Sequence, residues 1–442
     1  MGLAGAAVAG GAVTWPSVGE EEHATLAPVA GDPAMWTADA ESADEEFFGP
    51  VTPGGLLLVE QPLTARGRTR ALSRLDAVTG NRVWSVSIEP PLGRLRKVLV
   101  ADSVVLVRTE EALQAFDLRT GRPAWRRDRK TPGGSSATVL AGAGLVLDSG
   151  QSRPEAELDP PYTTHAYETA GGRLRWTTEI QPAVWTQSSS IHAAGLLLGA
   201  ATSGASSARS AMSLPFSYAV DAATGRQRWW RSLSKDEEVS KMTLAYATHG
   251  TVLVSLDGRV LIAQDARTGT IRWHSRFGAR KGRAATGADI PVAAGDTVHL
   301  CCADGVLRAF DLRDGRRRWE FALGEGPSAM RGVPARPRPI VGNGLVYVTT
   351  ESTLHVLDAA DGRRRWSRPA YESHGGPVMV RGHLFLADGE SVIGYGPSDG
   401  NVRLRLDLKA LGLDGRSIEL TTDGVRLYVL ARDQVLALSL AG

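Results

Sequence analysis

The chain has little cysteine, lysine or asparagine: of its 442 residues, two are Cys, six are Lys and three are Asn. Two cysteines, the adjacent Cys301 and Cys302, exclude a disulfide framework and a zinc site of the usual four-ligand kind. No run of about 20 apolar residues is present, which excludes a complete transmembrane helix. Charge of one sign is also missing, since 50 basic residues face 48 acidic ones for a net charge of +2. Such a balance supplies no chain-wide field for nucleic acid or an anionic membrane, and neither is expected as a partner. The composition is otherwise globular, 43% hydrophobic and 22% charged, which rules out global disorder. Fifty Gly and 23 Pro announce many turns.

The N-terminal segment speaks about address. Met1 to Trp15 carries no charge, is rich in Ala, Gly and Val, and is followed by its first acidic residue only at Glu20. It resembles the apolar part of an export signal without the basic region that should precede it, as in the distal half of a twin-arginine signal. Residues 1–30 are accordingly read as signal-like or as a flexible tail, with residues 31–442 as the folded domain. An extracytoplasmic location follows if the segment is a truncated signal, a cytoplasmic one if it is not.

Internal repetition decides the fold class. Asp-x-x-x-Gly-x-x-x-Trp recurs at Asp76/Gly80/Trp84, Asp117/Gly121/Trp125, Asp221/Gly225/Trp229, Asp265/Gly269/Trp273, Asp311/Gly315/Trp319 and Asp358/Gly362/Trp366, with Glu168/Gly172/Trp176 as a Glu variant. From Asp76 to Asp358 the six intervals average 47 residues. In each unit an alternating strand such as 306–310 runs into the acid, whose carboxylate can accept turn N–H groups. The Gly supplies a positive φ, and a second strand carries the Trp. Two further apolar strands lie upstream, as at 290–293 and 297–302. Four strands per repeat make a blade of an all-β propeller.

Ala precedes the acid by two residues at Ala115, Ala166, Ala219, Ala263 and Ala309. With that residue the unit resembles the tryptophan-docking repeat of PQQ-like propellers, a family that includes quinoprotein alcohol dehydrogenases and BamB-type assembly proteins. The resemblance covers roughly residues 36–442. It implies that Trp84, Trp125, Trp176, Trp229, Trp273, Trp319 and Trp366 wedge against the neighbouring blade as core residues. On that resemblance eight blades are expected, whereas raw counting of the repeats gives nine. The count includes a degenerate hairpin through Tyr395, Gly396, Gly400 and Leu404, and a final unit lacking its Trp strand. Residues 35–38, with Trp36, supply that strand and close the ring.

Candidate sites are fewer. Two consecutive units carry long insertions, 150–163 and 201–214, which neighbouring blades would bring to one rim. Glu155, Glu157, Asp159 and Tyr162 of the first, with Arg209 and Met212 of the second, are the candidate binding residues. In the dehydrogenases of the family, adjacent cysteines form a ring disulfide beside the quinone; Cys301 and Cys302 instead lie inside a second strand and read as small buried hydrophobes. Bound PQQ with calcium would need Asn and clustered acids, yet Asn81, Asn343 and Asn401 all fall in turns. The Arg-rich runs 316–318 and 363–365 read as a solvated outer strand. No catalytic residue, metal ligand or cofactor is therefore expected. The reading is an exported, non-catalytic, monomeric scaffold binding a protein or ligand through one face of the ring. The alternatives are a PQQ-dependent dehydrogenase, a BamB-like assembly factor, or a detached kinase sensor domain.

Overall fold

The computed structural model describes residues 35–39, 48–52, 54–60, 70–88, 95–109, 111–128, 138–151, 162–181, 186–203, 214–233, 242–247, 250–256, 259–277, 290–302, 305–323, 339–350, 352–370, 376–388, 390–411, 413, 418–431 and 434–440. Among them there is no helix, and none long and apolar enough to cross a membrane. The protein is a β-propeller of nine four-stranded antiparallel blades. Nine is the number given by counting the repeats, rather than the eight that the family resemblance implies.

Blades one to eight are sequential meanders over 48–88, 95–128, 138–179, 186–232, 242–276, 292–322, 340–369 and 378–407. The ninth is composite: strands Glu419–Thr422, Arg426–Leu430 and Gln434–Ser439 are completed by Met35–Asp39 from the start of the chain. Register sets Trp36 opposite Ala437, the same Trp–Ala pairing that joins Trp229 to Ala219 and Trp273 to Ala263.

Two compact units can be distinguished, one holding blades one, seven, eight and nine, the other blades two to six. In the first, Leu404, Leu420, Leu427 and Val429 belong to one core cluster, and Leu56, Leu75, Tyr428 and Leu430 to another. In the second, Ala219, Trp229, Val254 and Ile262 pack across blades four and five, and Trp273, Leu300 and Phe310 across five and six.

Strand position decides residue pattern. Val104–Thr109, a second strand, is buried at every residue, because blades pack on both its faces. Fourth strands such as Ile271–Arg276 alternate, with Trp273 buried and Arg272 and His274 exposed. Polar side chains between blades are paired: Arg108 Nε donates to Asp148 Oδ1 at 2.9 Å with both side chains under 5% exposed, and Ser217 Oγ donates to Gln264 Oε1 at 2.9 Å.

Turns follow the strand they join. The first hairpin of blades three and four uses Ala143-Gly144 and Ala194-Gly195, and that of blade seven Asn343-Gly344, all with positive φ at both residues. This is the mirror-image turn whose twist matches the strands. The last hairpin of each repeat is a three-residue turn closed by the repeat glycine: Gly225 N–H donates to Asp221 O at 2.8 Å, and Asp221 N–H to Arg226 O at 2.9 Å. A bulge between Ala219 and Val220 absorbs the extra residue.

Candidate functional site

The repeat acid organises its own turn. Asp221 Oδ1 accepts from the Thr224 N–H at 2.9 Å and hydroxyl at 2.8 Å, while Oδ2 accepts from Arg228 Nη2 at 2.5 Å. Asp265 is held alike by Thr268 and by Arg272 Nη2 at 2.8 Å. Arg228, with the Thr224 hydroxyl, lowers the Asp221 carboxyl to about 2; Arg272 lowers Asp265 to about 2, and Arg318 and Arg365 depress Asp311 and Asp358. The sequence reading missed this Arg, seven residues after the acid and one before the Trp. Its signal was present as Glu168/Arg175, Asp221/Arg228, Asp265/Arg272, Asp311/Arg318 and Asp358/Arg365. Arg316 and Arg363 remain highly exposed beside Asp314 and Asp361.

The hairpins of blades two to six and of blade eight also receive an indole from the blade before them. Trp125 Nε1–H donates to Thr169 O at 2.8 Å, Trp176 to Ala222 O at 3.0 Å, Trp229 to Ala266 O at 2.9 Å, Trp273 to Leu312 O at 2.8 Å and Trp366 to Pro397 O at 2.9 Å. A Cβ on Gly225 would lie 2.6 Å from Cδ2 of Trp176, so at φ +74° the glycine answers both a conformational and a steric demand. Trp84 stands in the same relation to Gly121. Trp319 is 8% exposed, its ring centroid 5.6 Å from that of His299. A second tie lies two residues after the Trp, where Arg127 Nε donates to Gly172 O at 2.8 Å, Arg368 Nε to Gly400 O at 3.1 Å, and the Thr178 and Ser275 hydroxyls to Gly225 O and Gly315 O. The Trp36 side chain lies outside the described residues.

Of the candidate rim, Glu155, Glu157, Asp159, Arg209 and Met212 lie outside the described residues. Tyr162 is described, and it is 1% exposed in a core cluster with Leu197 and Phe216. It opens the third strand of its blade, paired with Gln151, and faces the core rather than a rim.

Neither Cys301 nor Cys302 is in a disulfide, and both are buried. Cys301 ends the strand Thr297–Cys301 opposite Leu307; Cys302 packs with Leu300 and Phe310, its thiol donating weakly to Leu300 O at 3.6 Å. Asn81, Asn343 and Asn401 are all in turns, Asn401 bonded to Asp399. Among the described residues no three His, Cys, Asp or Glu side chains converge as a metal-binding group would require.

A family model described as outer membrane protein assembly factor BamB matches residues 9–202, 163–406 and 350–441. The chain belongs to this BamB family of PQQ-like repeat propellers. Solved structures share the fold at low identity. BamB from Moraxella catarrhalis is 15% identical, with a TM-score of 0.52 over 78% of this chain and 96% of that one. Quinohemoprotein alcohol dehydrogenase from Comamonas testosteroni is 15% identical, with a TM-score of 0.50 over 92% and 76%. Sqt1 from Saccharomyces cerevisiae is 9% identical, with a TM-score of 0.53 over 92% and 100%. No curated protein matches the chain in sequence. A BamB-family propeller thus shares its scaffold with both an assembly factor and an oxidoreductase, and the residues must separate the two roles.

Proposed function

We propose that the protein is an exported, non-catalytic propeller that acts as a scaffold, holding a protein partner on one face of its blades. The observation that carries this reading is membership of a family described as an assembly factor. The donor chemistry supports it. The adjacent cysteines sit as buried packing residues at the end of a strand, outside any disulfide, and the three asparagines are committed to turns. Nine blades of repeated packing, with no converging set of acids among the described residues, suit a rigid display surface better than redox chemistry. Export rests on the apolar, uncharged segment 1–15.

Titration of the purified protein with PQQ, with and without calcium, tests the reading by absorbance and calorimetry. No saturable change is expected. Micromolar or tighter binding together with dye-linked alcohol oxidation would overturn the scaffold and establish the dehydrogenase. The same preparation should elute as a monomer in size-exclusion chromatography.

A further inference from the structure

Between the fifth and sixth blades the repeat changes its chemistry. Twelve residues after the turn acid, blades one, three, four and six carry the aliphatic Ile88, Ile180, Leu233 and Leu323 and blade two carries Arg129, whereas the fifth alone carries an aromatic residue, Phe277. Three residues before the acid other blades carry Gln114, Tyr218, Ile262 or His355, but the sixth carries Arg308. The two departures meet. The Phe277 and Phe310 rings stand 5.4 Å apart, and the Arg308 guanidinium lies 5.5 Å over the Phe277 ring.

Together with Arg276 and Arg317 they line a cleft of about 330 Å³. Among the described residues its lining bears three guanidinium groups and no carboxylate. Glu320 reaches in from the side, 3.4 Å from Arg308 Nε and 2.6 Å from Arg317 Nη1. The Arg308 side chain is only 9% exposed. Burying a guanidinium has a desolvation cost that the neutral residues at this position in other blades avoid. Trp273 and Gly315 already join these two blades as their counterparts do elsewhere, so the packing does not call for the extra cation.

We propose that this cleft is a recognition pocket for an acidic peptide segment of a protein partner, one that places a carboxylate beside an aromatic side chain. The proposal rests on the scaffold reading and names its contact chemistry. A carboxylate matches the guanidinium fork in bidentate geometry. An aromatic side chain finds the Phe277–Phe310 pair as an apolar wall. The cleft volume is at the lower end for ligand sites and suits one such side-chain pair rather than a large cofactor.

The full chain is titrated with a fluorescently labelled, amidated pentapeptide Glu-Phe-Glu-Phe-Glu, with its Lys-Phe-Lys-Phe-Lys counterpart, and with phenylacetate. The acidic peptide is expected to saturate, to weaken as salt rises, and to lose tenfold or more in affinity in Arg276→Glu and in Arg317→Glu. Both side chains are at the surface, so these variants should keep the parent's circular dichroism and melting midpoint. Phe277→Leu, which restores the aliphatic residue of other blades, should lose severalfold. No saturation, equal affinity for the lysine peptide, or indifference to both Arg variants would overturn the proposal. So would phenylacetate binding without peptide binding, which would make the cleft a small-molecule site. A PQQ response with peptide binding intact would instead sink the scaffold reading alone.

Discussion

The last hairpins of the fourth and eighth blades solve the same problem with different residues. In the fourth, Asp221 caps the turn, Gly225 closes it and Trp229 continues to the next blade. In the eighth, Gly396 replaces the acid and Leu404 the Trp, yet Gly396 N–H still donates to Asn401 O at 2.8 Å and Gly400 N–H to Gly396 O at 2.9 Å. Asp399, three residues on, takes over the capping by accepting from the Asn401 N–H at 2.9 Å and Arg403 Nη2 at 2.6 Å. Both hairpins receive an indole, Trp176 at Gly225 and Trp366 at Gly400. What receives the Trp is thus the backbone geometry of the turn, and the acid is one of several ways to hold it.

Leu404 shows the other half of the lesson. The outer strand that follows it, Met35–Asp39, is not joined to Gln434–Ser439 by a hairpin. Among the described residues there is no repeat turn in the ninth blade to accept an indole, and Leu404 packs instead with Leu420, Leu427 and Val429. Sequence degeneracy falls where the docking partner is missing.

The largest test removes the indole from each class of hairpin. Trp229→Ala and Trp366→Ala should each cost about 3–5 kcal/mol in chemical denaturation, since each leaves a cavity and an orphaned carbonyl. A loss near zero at Trp366 alone would break the equivalence of regular and degenerate hairpins. A smaller effect is expected on restoring the acid. In Gly396→Asp the new Cβ would collide with the Asp399 carboxylate, and a loss of about 1–3 kcal/mol is expected, relieved when Asp399→Ala is added. No relief in the double variant would show that Asp399 is not the substitute. The smallest concerns pH. The Asp221 carboxyl is lowered to about 2 in the fold by Arg228 and Thr224. An unfolded Asp titrates near ~3.9, so its contribution is complete above about pH 4 and is lost as pH falls through the folded value. Asp221→Asn should flatten that part of the stability–pH curve by about 1 kcal/mol or less, as expected of an ion pair close to solvent.

Much of this architecture was legible because the repeat is periodic. The Asp, Gly and Trp spacing marked seven hairpins, and the missing fourth strand of the last unit pointed to residues 35–38. The Arg seven residues after the acid was equally regular but was read as solvated charge, because strand alternation alone does not reveal that it folds back on its own turn. The candidate site was less legible. Long insertions drew attention to Tyr162, but a residue at a strand start can turn into the core, where Phe216 and Leu197 hold it. Phe277 and Arg308 escaped notice because they lie 31 residues apart, in different blades, and each is an ordinary residue in its own segment.

By itself the sequence determined the repeating strands, how the repeat hairpins turn and which segment completes the last unit, while its expectation of eight blades gave way to the nine of the raw count. Those features depend on local backbone chemistry and on a hydrophobic period of two, both written in consecutive residues. The tertiary structure alone decided which carbonyl each indole finds, which buried Arg faces which Asp, and that two unremarkable departures from the repeat share one cleft. Contacts between blades join residues some 30 to 47 positions apart, and only packing sets which side chains meet at that distance.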